Sequence, residues 1–321
     1  MKRILSKYFI KLFFKKWIVG ICRDNIKDII RSKTFDPDID WLLAKSSDKY
    51  YADPFLLSSK DENTKILLED YSYDDDYGKI SLMTLDKSFK LVNYKIILDT
   101  KSHLSYPFIF TENNNTYIFP EAGQSGKLSC YKYDLVNESL TFLQDILDLP
   151  LRDSTILKKD GKYWIFGTLW ENDVDYKLYV YYSDSLLGPY VSHPGNPIKS
   201  GLDGNRAAGN FIEVDGIIYR PTQNCKKEYG ESMTINMVTE LNEINVVEEP
   251  YMNIAINKKN KFNYGMHTIH TINVMDDIIV VDGIKWTFSP IIQWKTFLRN
   301  RKIQNNKKNQ KEMSFDYSNR I

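Results

Sequence analysis

One pattern recurs five times along the chain and limits the fold more than any other feature. Each copy has a polar or Pro-containing opener, an apolar pair, a turn rich in Asp, Asn or Gly, and then an aromatic or aliphatic strand. The copies open at Ala52-Asp53-Pro54-Phe55-Leu56, Ser105-Tyr106-Pro107-Phe108-Ile109, Arg152-Asp153-Ser154-Thr155-Ile156, Ala208-Gly209-Asn210-Phe211-Ile212 and Met266-His267-Thr268-Ile269. Their second strands lie at 66–69, 117–121, 163–166, 217–221 and 278–282. Openers at 53, 106, 153, 209 and 267 are 53, 47, 56 and 58 residues apart. Four-stranded propeller blades need roughly 40–50 residues plus loops. The segments between turns are short and rich in β-branched and aromatic residues, and no amphipathic helical period persists away from the termini. The pattern therefore predicts an all-β fold, a five-bladed β-propeller over residues 17–285. The strand 17–21 is expected to complete the last blade and close the ring, which removes an edge. A β-sandwich with accidental likeness is the alternative.

Charge separates the ends from the middle. The net charge is +1, yet residues 1–16 carry six Lys/Arg and residues 295–311 carry seven, with no acid in either stretch. Residues 17–294 hold 29 basic and 40 acidic side chains. An acidic body is a poor phosphate-tracking surface, so no nucleic acid is expected as partner. A short basic N-terminal segment (1–16) and a basic C-terminal tail (286–321) next to apolar residues suit an anionic membrane surface, or are solvated ends. Residues 290–303 are expected to form an amphipathic helix, with disorder beyond about residue 304. No apolar run reaches the roughly 18–20 residues of a bilayer-spanning helix. Lys11, Lys15 and Lys16 interrupt the N-terminal apolar stretch, so no signal peptide is expected. Three widely spaced cysteines show neither a disulfide framework nor metal spacing, which argues for a reducing, cytoplasmic compartment.

If the openers converge on a propeller axis, they bring Asp53, Tyr106, Asp153, Arg206 with Asn210, and His267 to one pocket. Glu69, Asp70, Glu121, Gln223 and Asn224 then stand at the ends of second strands, and Arg152 and Arg220 lie nearby. Carboxylates that accept from hydroxyls, beside aromatic faces that stack on sugar rings, describe a site for a polyhydroxylated ligand. No Gly-rich phosphate loop or nucleophile elbow is present. His267 and His270 face opposite sides of a strand, so no metal pair is expected there. His103 and His193 have no evident partner carboxylate and are taken as structural. No cofactor is predicted, and a divalent cation is left open.

A longer ordered series carries a resemblance. It runs Ala52-Asp53-Pro54-Phe55, His103-Leu104-Ser105-Tyr106-Pro107-Phe108, Pro120-Glu121, Ser185-Leu186-Leu187-Gly188-Pro189-Tyr190 and His193-Pro194-Gly195-Asn196-Pro197. It continues with Arg206-Ala207-Ala208-Gly209, Tyr219-Arg220-Pro221-Thr222-Gln223-Asn224, Tyr229-Gly230 and His267-Thr268. The chain resembles a bacterial family similar to the N-terminal domain of plant glucosamine inositolphosphorylceramide transferases. The resemblance implies a propeller distantly similar to glycoside hydrolase family 43, and a place in cell-surface polysaccharide or glycolipid biosynthesis. In those hydrolases a first-blade Asp is the base, a middle-blade Asp positions, and a later Glu is the acid. Asp53 and Asp153 match the first two. The fourth repeat has Arg206-Ala207-Ala208-Gly209 where the acid is expected, which leaves Glu121 as a substitute. Loss of that acid favours a glycosyltransferase, whose phosphate leaving group needs cations such as Arg152, Arg206 and Arg220 more than a proton. The expected partners are then a nucleotide-sugar donor and a glycan or lipid-linked acceptor on the inner membrane face. The alternatives are a family 43-like hydrolase using Glu121 or Glu69, and a non-catalytic glycan-binding propeller.

Overall fold

The computed structural model describes residues 13–296 and 298, apart from 43, 45, 47, 60–62 and 170–175. Five antiparallel sheets follow one another along the chain as propeller blades. Blade 1 holds β3 (Lys49–Ser58), β4 (Thr64–Ser72), β5 (Tyr77–Leu85) and β6 (Leu91–Leu98). Blade 2 holds β7 (Ser105–Glu112), β8 (Asn115–Glu121), β9 (Leu128–Asp134) and β10 (Ser139–Leu147). Blade 3 is β11 (Leu151–Lys159), β12 (Lys162–Leu169) and β13 (Tyr176–Ser183), with β14 (Val191–Ser192) and β15 (Lys199–Gly201) both pairing β13. Blade 4 splits its inner strand into β16 (Asp203–Ala207) and β17 (Ile212–Val214), both on β18 (Ile217–Asn224), followed by β19 (Ser232–Leu241) and β20 (Val246–Ile254). Blade 5 runs β21 (Ile269–His270), β22 (Ile279–Phe288), β1 (Phe13–Cys22) and β2 (Asp40–Leu42). The early strand β1 closes the ring, as the apolar run at 17–21 predicts.

Burial follows position in the blade. The middle of β4, Ile66-Leu67-Leu68-Glu69-Asp70, is wholly buried, whereas β6 exposes Leu91, Val92 and Ile96. A strand covered on both faces tolerates a continuous apolar run, and an outer strand does not need one. Helix α1 (Ile26–Ser32) departs from the repeat and buries Ile26, Ile29 and Ile30 against a core that includes Tyr219, Met233 and Ile269. Asn25 caps it, its Oδ1 accepting from Lys27 N at 2.9 Å. Seven residues are too few to show a helical period in sequence. Trp17–Lys285 forms one compact unit. In the other, residues 290–296 are helical. The rest of the expected helix to 303 and the expected disordered end lie outside the described residues, as does most of the basic N-terminal segment. Among the described residues no helix is long and apolar enough to cross a membrane.

The inner strands carry the device that builds the site. Pairing in β3, β7 and β11 slips between Ala52 and Phe55, Ser105 and Phe108, and Arg152 and Thr155. Each slip places one non-glycine residue at positive φ: Asp53 (48°), Tyr106 (43°) and Asp153 (46°). A bulge leaves its residue out of the ladder and frees the N–H. Each freed N–H donates to a carboxylate of the preceding blade. Asp53 N reaches Asp282 Oδ2 (3.3 Å), Tyr106 N reaches Asp53 Oδ2 (3.1 Å), and Asp153 N reaches Glu121 Oε2 (3.0 Å). Gln223 Nε2 of blade 4 donates to Asp153 Oδ2 (3.1 Å), and Ile269 N of blade 5 donates to Ala208 O (2.8 Å). All five seams are bonded in the same sense around the ring.

Candidate active site

A pocket of about 230 Å³ opens where the five inner strands meet, and every blade contributes to its wall. Four acids line it: Asp53 on β3, Glu69 on β4, Glu121 on β8 and Asp153 on β11. Arg152, Arg206 and His267 supply the opposing charge, and Trp17, Tyr50 and Tyr229 the aromatic surface. Two roomier clefts, about 450 and 430 Å³, lie elsewhere, near Tyr133 and Trp164. Neither gathers such a set of buried acids and cations, so the smaller pocket is the chemical one.

The acids differ because their surroundings differ. Burial, opposed by His267, pushes the Asp53 carboxyl up to about 6. Thr268 Oγ1 also donates to Asp53 Oδ1 at 2.9 Å and favours the charged form. Burial and the nearby Asp153 push Glu121 further, to about 8. Glu69, buried beside Asp53 and Glu121, is held well above the ordinary carboxylate range. Asp153 is clamped instead, its Oδ2 accepting from Arg206 Nε at 2.6 Å as well as from Gln223. Burial alone would lower His267, but Asp282 and Asp53 outweigh it and raise the imidazole. Its Nδ1 lies 2.5 Å from Asp282 Oδ2 and 3.6 Å from Asp53 Oδ1. The ring stacks on Trp17 at 3.7 Å between centroids.

Seven of the thirteen residues that the sequence points to line the pocket: Asp53, Glu69, Glu121, Arg152, Asp153, Arg206 and His267. Six do not: Asp70 is buried within β4, and each of the other five has a physical reason. Tyr106 sits at the same bulge position as Asp53, but its longer side chain reaches blades 3 and 4 instead of lining the pocket. There its hydroxyl bonds Thr155 Oγ1 (2.9 Å) and donates to Gly209 O (3.1 Å). Asn210 donates to Thr271 O at 3.2 Å across the seam to blade 5. Arg220 is fully buried within blade 4, paired with Glu248 and donating to Gly204 O at 2.7 Å. It is a structural cation, not a phosphate ligand. Gln223 stands behind Asp153 and bonds it without lining the cavity. Asn224 ends β18, where its Oδ1 accepts from Lys226 N at 3.1 Å.

Sequence reasoning passes over Trp17, Tyr50, His103, Ser105 and Tyr229, which complete the wall. His103, taken above as lacking a partner carboxylate, has one nearby. Its Nδ1 accepts from Gly78 N (3.0 Å), which turns Nε2 toward Glu69 Oε1, 3.8 Å away. Asp282 is the other omission. It lies on the second strand of the fifth repeat as Glu69 and Glu121 lie on theirs, and that shared place is the available signal. Its Oδ1 accepts from His267 N (2.8 Å) and Thr268 N (3.1 Å).

Among the described residues, Asp53, His267 and Asp282 place candidate metal-ligand atoms within 4.8 Å of one another. These groups already bond one another and the main chain, so a cation there would have to displace the imidazole proton. His270 lies in the core, accepting from Leu56 N at 3.0 Å, and takes no part.

The fold and the pocket together define a five-bladed propeller with a polar axial pocket. A family 117 glycoside hydrolase from Zobellia galactanivorans superposes with a TM-score of 0.53 at 13% identity, over 87% of this chain and 92% of that one. A family 43 β-1,3-galactosidase solved with galactodeoxynojirimycin gives 0.50 at 10% identity, over 66% and 81%. At such identities the likeness concerns the fold alone. Sequence is more specific: residues 43–286 match the family model described as the N-terminal part of glucosamine inositolphosphorylceramide transferase 1, and the chain belongs to that family. The transferase of that name from Arabidopsis thaliana is 34% identical over 225 residues, and the one from Oryza sativa subsp. japonica 30% over 218. The matches cover 67% and 66% of this chain but only 29% of each relative.

Proposed function

We propose that this chain is a carbohydrate-active enzyme that moves a glycosyl unit from a sugar donor to an acceptor hydroxyl in the axial pocket. The observation that carries the proposal is the divergence of two carboxyls facing one cavity. At neutral pH Asp53, at about 6, is largely ionised, whereas Glu121, at about 8, keeps its proton. Two carboxyls pushed apart by their surroundings divide into a base and an acid. Asp53 takes the acceptor's proton as that oxygen bonds the anomeric carbon. The bond from that carbon to the leaving oxygen breaks, and its electron pair stays on the leaving oxygen. A phosphate leaving group is met by the guanidinium groups of Arg152 and Arg206, and an alkoxide takes the Glu121 proton.

Membership in a family named for a transferase supports transfer. The basic flanks fit a peripheral enzyme on the inner membrane face, serving a lipid-linked acceptor in cell-surface glycan assembly. Hydrolysis of a glycosidic bond is the second reading, favoured by the proton on Glu121, with water in place of the acceptor. A thermal-shift screen against nucleotide sugars, polyprenyl-phosphate analogues and simple glycans tests both. Stabilisation by one nucleotide sugar, lost in Arg206→Ala, is the expected result and names the donor. Stabilisation by glycans alone, with release of free sugar that Asp53→Asn abolishes, replaces transfer by hydrolysis. Glycan binding with no turnover in either protein leaves a binding module.

A further inference from the structure

The pocket's aromatic residues differ in how much ring face they leave open. Trp17 is 9% exposed and its face is covered by the stacked His267. Tyr50 is stacked on Tyr71, 4.6 Å between centroids and 8° from parallel. Tyr229 lines the same cavity but is 43% exposed.

Its position is fixed, not loose. Tyr229 lies in the turn between β18 and β19, and the next residue, Gly230, has φ +68°. A Cβ on Gly230 would sit 2.5 Å from Trp17 Cη2, and one on Gly265 would sit 2.1 Å from Gly230 O. Two glycines therefore let the turn press onto the pocket rim. The Tyr229 ring meets His267 edge-on at 5.3 Å and 67°, and Trp17 at 6.0 Å and 76°. The Arg206 guanidinium carbon lies 5.0 Å from the ring centroid. A ring held on three sides, in a pocket residue that is still 43% exposed, is preorganised for a flat partner.

The pocket's size says which partner. About 230 Å³ is below the roughly 300–1,000 Å³ of sites that enclose drug-sized ligands. It takes one sugar ring, so a second linked ring must lie at the mouth. We propose that Tyr229 is the stacking platform for this second saccharide unit, making the site at least two rings long. The inference rests on the carbohydrate reading of the pocket and adds a specificity residue to it. Arg206, touching Tyr229 on one side and Asp153 on the other, ties the platform to the reacting pocket.

The test measures binding of methyl glycosides of glucose, galactose and N-acetylglucosamine, and of their β-1,3- and β-1,4-linked dimers, by saturation-transfer NMR and thermal shift. In the unaltered protein a dimer should bind roughly three- to tenfold more tightly than its monomer, the scale of one aromatic stack. Tyr229→Ala should erase that advantage, so that dimer and monomer bind it alike. Tyr229→Phe should keep the advantage, and Tyr229→Leu, apolar but without a flat face, should lose most of it. An advantage that survives in both Tyr229→Ala and Tyr229→Leu overturns the platform while leaving the carbohydrate reading intact. Response of the unaltered protein to none of these sugars overturns the carbohydrate reading, and the platform with it.

Discussion

Asp53 and Glu121 set the pH behaviour of the pocket. A reaction that needs Asp53 ionised and Glu121 protonated rises through about pH 6 and falls through about pH 8. With an alkoxide leaving group the kcat/KM profile should be a bell between those limits, whereas a phosphate leaving group should show only the acidic limb. Asp53→Asn should remove the acidic limb and lower turnover by roughly 10²–10⁴-fold, measured on folded protein. The same shifts bear on stability. Both folded values lie above the ordinary 3.8 and 4.5, so the folded state holds protons that the unfolded state releases. Their stabilising effect is complete below the ordinary values and is lost as pH climbs through about 6 and about 8. The melting temperature should therefore fall between about pH 4 and about pH 8, and Glu121→Gln should flatten that fall, read by calorimetry across pH. These acids were legible in the sequence because they occupy equivalent places in a repeat. Trp17, His103 and Tyr229 were not, because they come from the closing strand and from turns outside the repeating pattern. Tyr106 shows the converse: it shares the bulge position, but its length takes it past the pocket.

Within the blades, the fourth departs most from its siblings. Its inner strand is broken at Gly209, where φ is 132° and a Cβ would sit 1.9 Å from Ile269 O. That closeness seals blade 4 to blade 5, and Gly209→Ala should disrupt the seam. Arg220 replaces an apolar core residue with an ion pair. Burial would raise Glu248, but Arg220 and Lys199 outweigh it and hold the carboxyl down at about 2. Arg220→Ala leaves that buried carboxylate with Lys199 alone and should cost about 3 kcal/mol in denaturant unfolding. Sugar binding should change little in the protein that remains folded. In sequence Arg220 looked like a pocket cation because its strand bears Gln223 and Asn224. Strand alternation alone does not say which face turns to the axis when the inner strand is interrupted. Helix α1 was illegible for a simpler reason, since two turns carry too little period to stand out.

Over the whole ring, the closing strand β1 unites stability and site. It places Val19 and Ile21 in the core beside Val280, and Trp17 against His267. Removing residues through Cys22 should therefore abolish cooperative melting and ligand response together, whereas removing only residues 1–12 should spare both. The five-fold period made the architecture readable, because the spacing counts blades irrespective of what each one binds. What no residue type could announce is the set of main-chain N–H groups that the inner-strand bulges turn toward the preceding blade. Side chains can be exchanged at those positions without removing the donors, since every residue except proline has one. The cradle for the acids is thus written in backbone shape, and it survives substitutions that would erase a side-chain site. A lineage carrying this ring can rewrite what enters the pocket, one wall at a time, without first losing the means to hold buried carboxylates in place.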